Sequence, residues 1–82
     1  MVVPEGVTKI YGNSFRDCTL LQTMTLPSTV TIVGSYAFYN DTSLVQINIA
    51  KTMSQVQSLK YNNWKIPSGV TIHCTDGDIT TT

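Results

Sequence analysis

The chain repeats itself at an interval of 23 residues. Sliding the sequence by that step lays Pro4 on Pro27, Val7 on Val30, Thr8 on Thr31, Phe15 on Phe38, Thr19 on Thr42 and Leu21 on Leu44. Conservative pairs fill the gaps: Ile10 with Val33, Ser14 with Ala37, Met24 with Ile47, and Leu26 with Ile49. Apolar positions keep register while polar ones drift. That is the pattern of units stacked on one continuous core. With 82 residues in all, the units belong to one small domain.

Each unit has a readable grammar. In "LLQTMTL" and "SLVQINI", Met24 and Leu26 alternate with Thr23 and Thr25, and Ile47 and Ile49 alternate with Gln46 and Asn48. Period-two alternation over so short a run predicts a half-buried strand. Pro27 stands where it ends ladder pairing. "VTIVGSYAF" then supplies a short extended piece, a Gly-containing turn and an Ala-Phe plug for the core. The unit is therefore strand, turn, short strand and compact loop. In "KTMSQVQSLKYNNWK", Met53, Val56 and Leu59 recur at helical spacing without Gly or Pro, which predicts a short amphipathic helix over 52–60 covering the end of the stack. "DGD" at 76–78 reads as a turn, and "ITTT" as a frayed tail. A phrase resembling "LPSTVTI" (26–32) returns as "IPSGVTI" at 66–72. That shift is neither one period nor two. The helical insertion accounts for it, and the returning phrase marks the last strand of the stack.

Composition narrows the partners. Lys+Arg and Asp+Glu balance at five each, and only 12% of residues are charged. A neutral chain lacks the basic face that nucleic acid or an anionic membrane selects. No apolar run reaches the length of a membrane span, and "MVVPEGVTKIYG" does not read as a signal peptide. Recognition must rest on neutral polar groups, aromatic rings and shape.

The repeat resembles the BspA-like leucine-rich repeats. The residues that carry the likeness are Pro4, Val7, Ile10, Phe15, Cys18, Leu21, Met24 and Leu26 in the first copy. In the second they are Pro27, Val30, Val33, Gly34, Ala37, Phe38, Leu44, Ile47 and Ile49. "NNWKIPSGVTIHCTDG" is similar to the closing segment of such arrays. Tyr11 stands where the second copy has Gly34, and Asp41 where the first has Cys18, departures that touch loop geometry. The resemblance implies a repeat solenoid, mainly short β-strands and loops with one short C-terminal helix. Its parts are repeat 1 at 1–26, repeat 2 at 27–49 and a C-terminal cap at 50–82. It also implies a non-enzymatic recognition or adhesion module of a microbial surface protein, with a protein or glycan as its ligand, placed outside the cell, at its surface or on a virion. The rival reading is a structural or oligomer-forming segment of a larger assembly, such as a phage or cell-surface fibre. In the repeat register Met1 falls on Met24 and Val3 on Leu26, so Met1–Val3 is expected to be an open core strand. Such an edge invites self-association or an adjoining domain.

The reactive residues support no catalytic or metal chemistry. His73, Cys74 and Asp76 are close in sequence, yet neighbouring strand residues face opposite ways. Val70, Ile72 and Cys74 share the core face, leaving Thr71, His73 and Thr75 outside. Cys74 is expected as a core thiol, and Cys18 as a structural thiol in the loop position where the family often buries a Cys. Their separation along the stack disfavours a disulfide between them without excluding it. One His and two distant Cys cannot build a metal site, and "DGD" with Asp41 falls short of a calcium shell. No cofactor is expected. Two surfaces remain for binding. One is the outward strand row Thr23, Thr25, Gln46, Asn48, Thr71 and His73; the other is Tyr36 and Tyr39, with Trp64 assigned to the cap.

Overall fold

The computed structural model describes residues 1–81. Two parallel stacks hold the repeat. β2 (Thr23–Leu26), β4 (Gln46–Ile49) and β5 (Thr71–Cys74) lie side by side, and β6 (Gly77–Thr80) closes that sheet in the antiparallel sense. β1 (Lys9–Ile10) and β3 (Ile32–Val33) form a second, two-stranded parallel sheet. The pairings Lys9↔Ile32 and Thr23↔Gln46 reproduce the sequence register, whereas Gln46↔Thr71 is two residues longer.

Alternation decides what each strand buries. Met24 and Leu26, Ile47 and Ile49, and Ile72 and Cys74 all point into one core. Val30, Ala37, Phe38, Val56, Trp64 and Val70 complete it. The loops stack as well. The amides of Asn13, Phe15 and Asp17 donate to the carbonyls of Ser35, Ala37 and Tyr39, and those of Tyr36 and Phe38 donate to Asn63 and Trp64. Phe15 therefore lies parallel to Phe38 with centroids 5.8 Å apart, and Trp64 follows 6.0 Å beyond Phe38, tilted by 57°. The expected capping tryptophan is thus the third ring of an aromatic column, buried at Phe38 and Trp64 and half-buried at Phe15.

Polar side chains obey the same period. Ser28 donates to Glu5, the Gly6 amide to Thr29, Asn40 to Asp17, the Cys18 amide to Asp41 and the Met53 amide to Asp76, each 23 residues apart. The chain closes on itself most tightly at Gly12 and Gly34. A Cβ on Gly34 would stand 2.2 Å from the Gly12 nitrogen, so only glycine lets the two loops meet there.

The helix α1 spans Met53–Ser58, shorter than the predicted 52–60. Thr52 caps it reciprocally with Gln55: the Gln55 amide donates to Thr52 Oγ1, and the Thr52 amide to Gln55 Oε1, a capping box. It stops because Lys60 turns left-handed (φ 57°) and leads into a 3-10 turn at Tyr61–Trp64. Val56 is buried and Met53 and Leu59 half-buried, as the spacing required, and α1 packs on β6 and the 3-10 turn.

Three expectations are corrected. "ITTT" is not a frayed tail: Ile79 and Thr80 pair with Ile72 and Thr71, while Thr81 Oγ1 donates to the Pro67 carbonyl and accepts from the Val70 amide. Thr82 lies outside the described residues. The turn expected at 76–78 sits at 75–76, because Gly77 and Asp78 already belong to β6. β5 is accordingly not the last strand. One apolar residue, Ile79, was too little signal for a polar edge strand. The edge expected at Met1–Val3 is present, running parallel beside β2 through a Val2↔Thr25 bridge. Val3 is buried, but Met1 is 61% exposed where its repeat counterpart Met24 is 0%, since no neighbour covers it.

The Gly12–Gly34 contact yields a direct test. Gly34→Ala drives a methyl into backbone rather than a yielding side chain, and is expected to cost about 3 kcal/mol in urea unfolding. Gly6→Ala, in open space but at φ 98°, is expected to cost only about 1 kcal/mol.

Candidate recognition face

The strand register assembles the outward residues into two straight rows. Thr23, Gln46, Thr71 and Thr80 are successive partners, and so are Thr25, Asn48, His73 and Asp78. All six residues read from the sequence as an outward strand face fall in these rows. Thr80 and Asp78 were missed because β6 was missed. Within the rows Gln46 Nε2 donates to Asn48 Oδ1 at 2.6 Å, and His73 Nδ1 lies 2.5 Å from Asp78 Oδ1. The second row borders an open groove of about 390 Å³ that Leu26, Ile49, Ala50 and Cys74 also line. It is a shallow surface of hydroxyls, amides and one imidazole over an apolar edge.

Tyr36 and Tyr39 occupy a different place, the loop between β3 and β4, with ring centroids 5.4 Å apart. The Arg16 guanidinium sits 4.9 Å from the Tyr39 centroid and the Lys65 ammonium 5.6 Å from that of Tyr36. Neither cation was singled out in the sequence, since only the stacking of three loops brings them to the rings. The two candidate surfaces are therefore separate.

The thiols are poor nucleophiles. Cys74 is buried on the core face while His73 is exposed on the other. Both cysteines are free, and Cys18 is only half-buried, not the enclosed thiol expected. Desolvation pushes both thiols up, helped by Asp41 and Asp17 at Cys18 and by Asp76 and Asp78 at Cys74. That is the wrong direction for a reactive thiolate. Among the described residues no three His, Cys, Asp or Glu side chains gather as a metal shell.

Asp41 has a structural role that its identity concealed. It is fully buried; Oδ1 accepts the Cys18 amide at 2.8 Å, and Oδ2 has no partner among the described residues. Cys18 and Asp41 thus occupy the same repeat position, and the carboxylate knits the two levels together.

The pattern described as a BspA type leucine-rich repeat region (6 copies) matches residues 1–75. The chain belongs to the BspA-type leucine-rich repeat family. No curated protein and no solved structure matches it. Repeats of this type are in general non-enzymatic and point to a protein-interaction module of surface proteins. No helix among the described residues is long and apolar enough to cross a membrane.

Asp41 makes stability depend on pH. Burial, aided by Asp17 and opposed by the Cys18 hydrogen bond, raises its pKa above the ordinary aspartate value. The stabilisation is therefore complete below the ordinary value and is lost as pH rises through the raised one. Asp41→Asn keeps an acceptor for Cys18 without the charge, and is expected to raise the melting temperature at pH 7 and flatten its fall from acid to neutral pH. Asp41→Ala orphans the amide and is expected to cost about 1–3 kcal/mol.

Proposed function

We propose that this domain is a short solenoid that recognises a protein partner, serving adhesion on a microbial or virion surface. The supporting observation is the pair of cross-strand rows, Thr23–Gln46–Thr71 and Thr25–Asn48–His73. A stacked repeat gathers such residues into one extended face. With one imidazole and no Lys, Arg, Asp or Glu among those six, the face suits neutral hydrogen bonding. Tyr36 and Tyr39 are proposed as a second contact patch.

A second reading, assembly through the outer face of the first repeat, is favoured by a specific contrast. Val7, Phe15 and Leu21 are only partly buried where Val30, Phe38 and Leu44 are enclosed. Phe15 stacks on Phe38 and stays partly exposed. With the adjacent strand Met1–Val3, this surface suits self-association or an adjoining domain of the same kind.

One set of measurements addresses both. A double variant, Thr23→Lys and His73→Lys, both at exposed positions, is expected to abolish retention of the partner found by screening purified surface proteins. Its stability should change by no more than about 1 kcal/mol, as for surface substitutions. Undiminished binding would reject the strand face. Concentration-dependent association in sedimentation, lost in Phe15→Ser, is the expected sign of assembly; a monomer at all concentrations rejects it.

A further inference from the structure

We propose that the recess beside the 3-10 turn binds an acidic sugar, a hexose ring carrying a carboxylate. The recess has a volume of about 270 Å³ and is lined by Tyr61, Asn62, Lys65, Ile66, Thr80 and Thr81. That falls just below the roughly 300–1,000 Å³ typical of drug-sized ligands. It suits a single sugar ring and is too small for a length of peptide. Asn62, Thr80, Tyr61 and Lys65 bring side chains of the kinds that hydroxyls, C–H faces and a carboxylate use, beside Ile66 and a Thr81 whose hydroxyl is already engaged by Pro67 and Val70.

Backbone geometry singles out one of these residues, Lys65, independently. Six non-glycine residues have positive φ: Asn13, Asp17, Tyr36, Asn40, Lys60 and Lys65. Asn and Asp tolerate this conformation, whereas other side chains pay roughly 1–2 kcal/mol. Asn13 occupies in repeat 1 the position that Tyr36 (φ 60°) occupies in repeat 2, so the fold is served by asparagine there. Lys65 (φ 59°) ends the 3-10 turn, where glycine or asparagine is the usual choice. Two of the three strained residues are thus the partners in one cation–ring contact. Strain that the fold does not need is retained for what the side chains do. Lys65 lines the recess, makes no salt bridge among the described residues, and carries its ammonium beside the Tyr36 ring. Tyr36 is not among the lining residues and bears on the recess through its contact with Lys65.

The test titrates a galacturonic acid trisaccharide, and its neutral galactose counterpart, into the isotope-labelled chain while backbone amides are followed by NMR. The acidic sugar is expected to shift Asn62, Lys65 and Thr80 and to leave Thr25 and Asn48 unmoved. It should bind about tenfold or more tightly than the neutral sugar, the weight of a charge-assisted hydrogen bond. Lys65→Gly and Tyr36→Asn relieve the backbone and should melt no lower than the parent. The first should lose about tenfold or more in affinity, and the second less. No shift at millimolar sugar, equal response to both sugars, or an unaffected Lys65→Gly overturns the proposal. So does a hexaglutamate peptide that moves the same amides as strongly, since the recess would then read charge alone.

Discussion

Everything in this molecule depends on the parallel backbone ladder. Neighbouring strands sit about 4.8 Å apart, a distance at which each residue of one repeat must meet its counterpart in the next. Once Thr23 pairs with Gln46, Met24 has to pack beside Ile47, Phe15 beside Phe38, and the Cys18 amide beside Asp41. Hydrophobic burial supplies the driving force, but the ladder fixes which groups share it. Gly34 is the clearest casualty of that constraint, held to a hydrogen atom because Gly12 passes so close.

The third level keeps the ladder while changing what fills it. Two extra residues separate β4 from β5 relative to the earlier step, and α1 with its 3-10 turn takes the chain position that β3 and its loop held before. The aromatic column survives the change. A tryptophan replaces phenylalanine, larger and tilted, and closes a volume that a third phenylalanine loop would have filled differently. Tyr61 sets its edge against Trp64 at 6.4 Å, so the recess beside the turn is a by-product of how the core was finished.

The stacked strands were legible because burial selects residue type directly. Met24, Leu26, Ile47 and Ile49 announce both the strand and its inward face. The polar contacts were hidden for a physical reason: stacking asks apolar positions for similarity and polar positions for complementarity. Glu5 with Ser28, Asp17 with Asn40, and Cys18 with Asp41 look like drift when compared for likeness, yet each is a donor meeting an acceptor. β6 was hidden for another reason, since a solvent-facing edge strand needs no apolar alternation. The face formed by Thr23, Thr25, Gln46, Asn48, Thr71 and His73 could be read in advance, because outward residues follow from inward ones. Arg16 and Lys65 could not, because their meeting with Tyr39 and Tyr36 is made by loops from three different levels.

The reversal at β6 gives the molecule a direction of growth. A duplicated 23-residue unit spliced between β2 and β4 would find a parallel neighbour on each side and a crossover loop already of the right length. The same insert between β5 and β6 would meet a two-residue hairpin turn, which cannot carry the long return that parallel strands demand. Lengthening by gene duplication is therefore excluded at the closing hairpin and open on the side of the parallel strands. The closing hairpin, together with the helix, 3-10 turn and recess that adjoin it, would be inherited intact by every longer descendant.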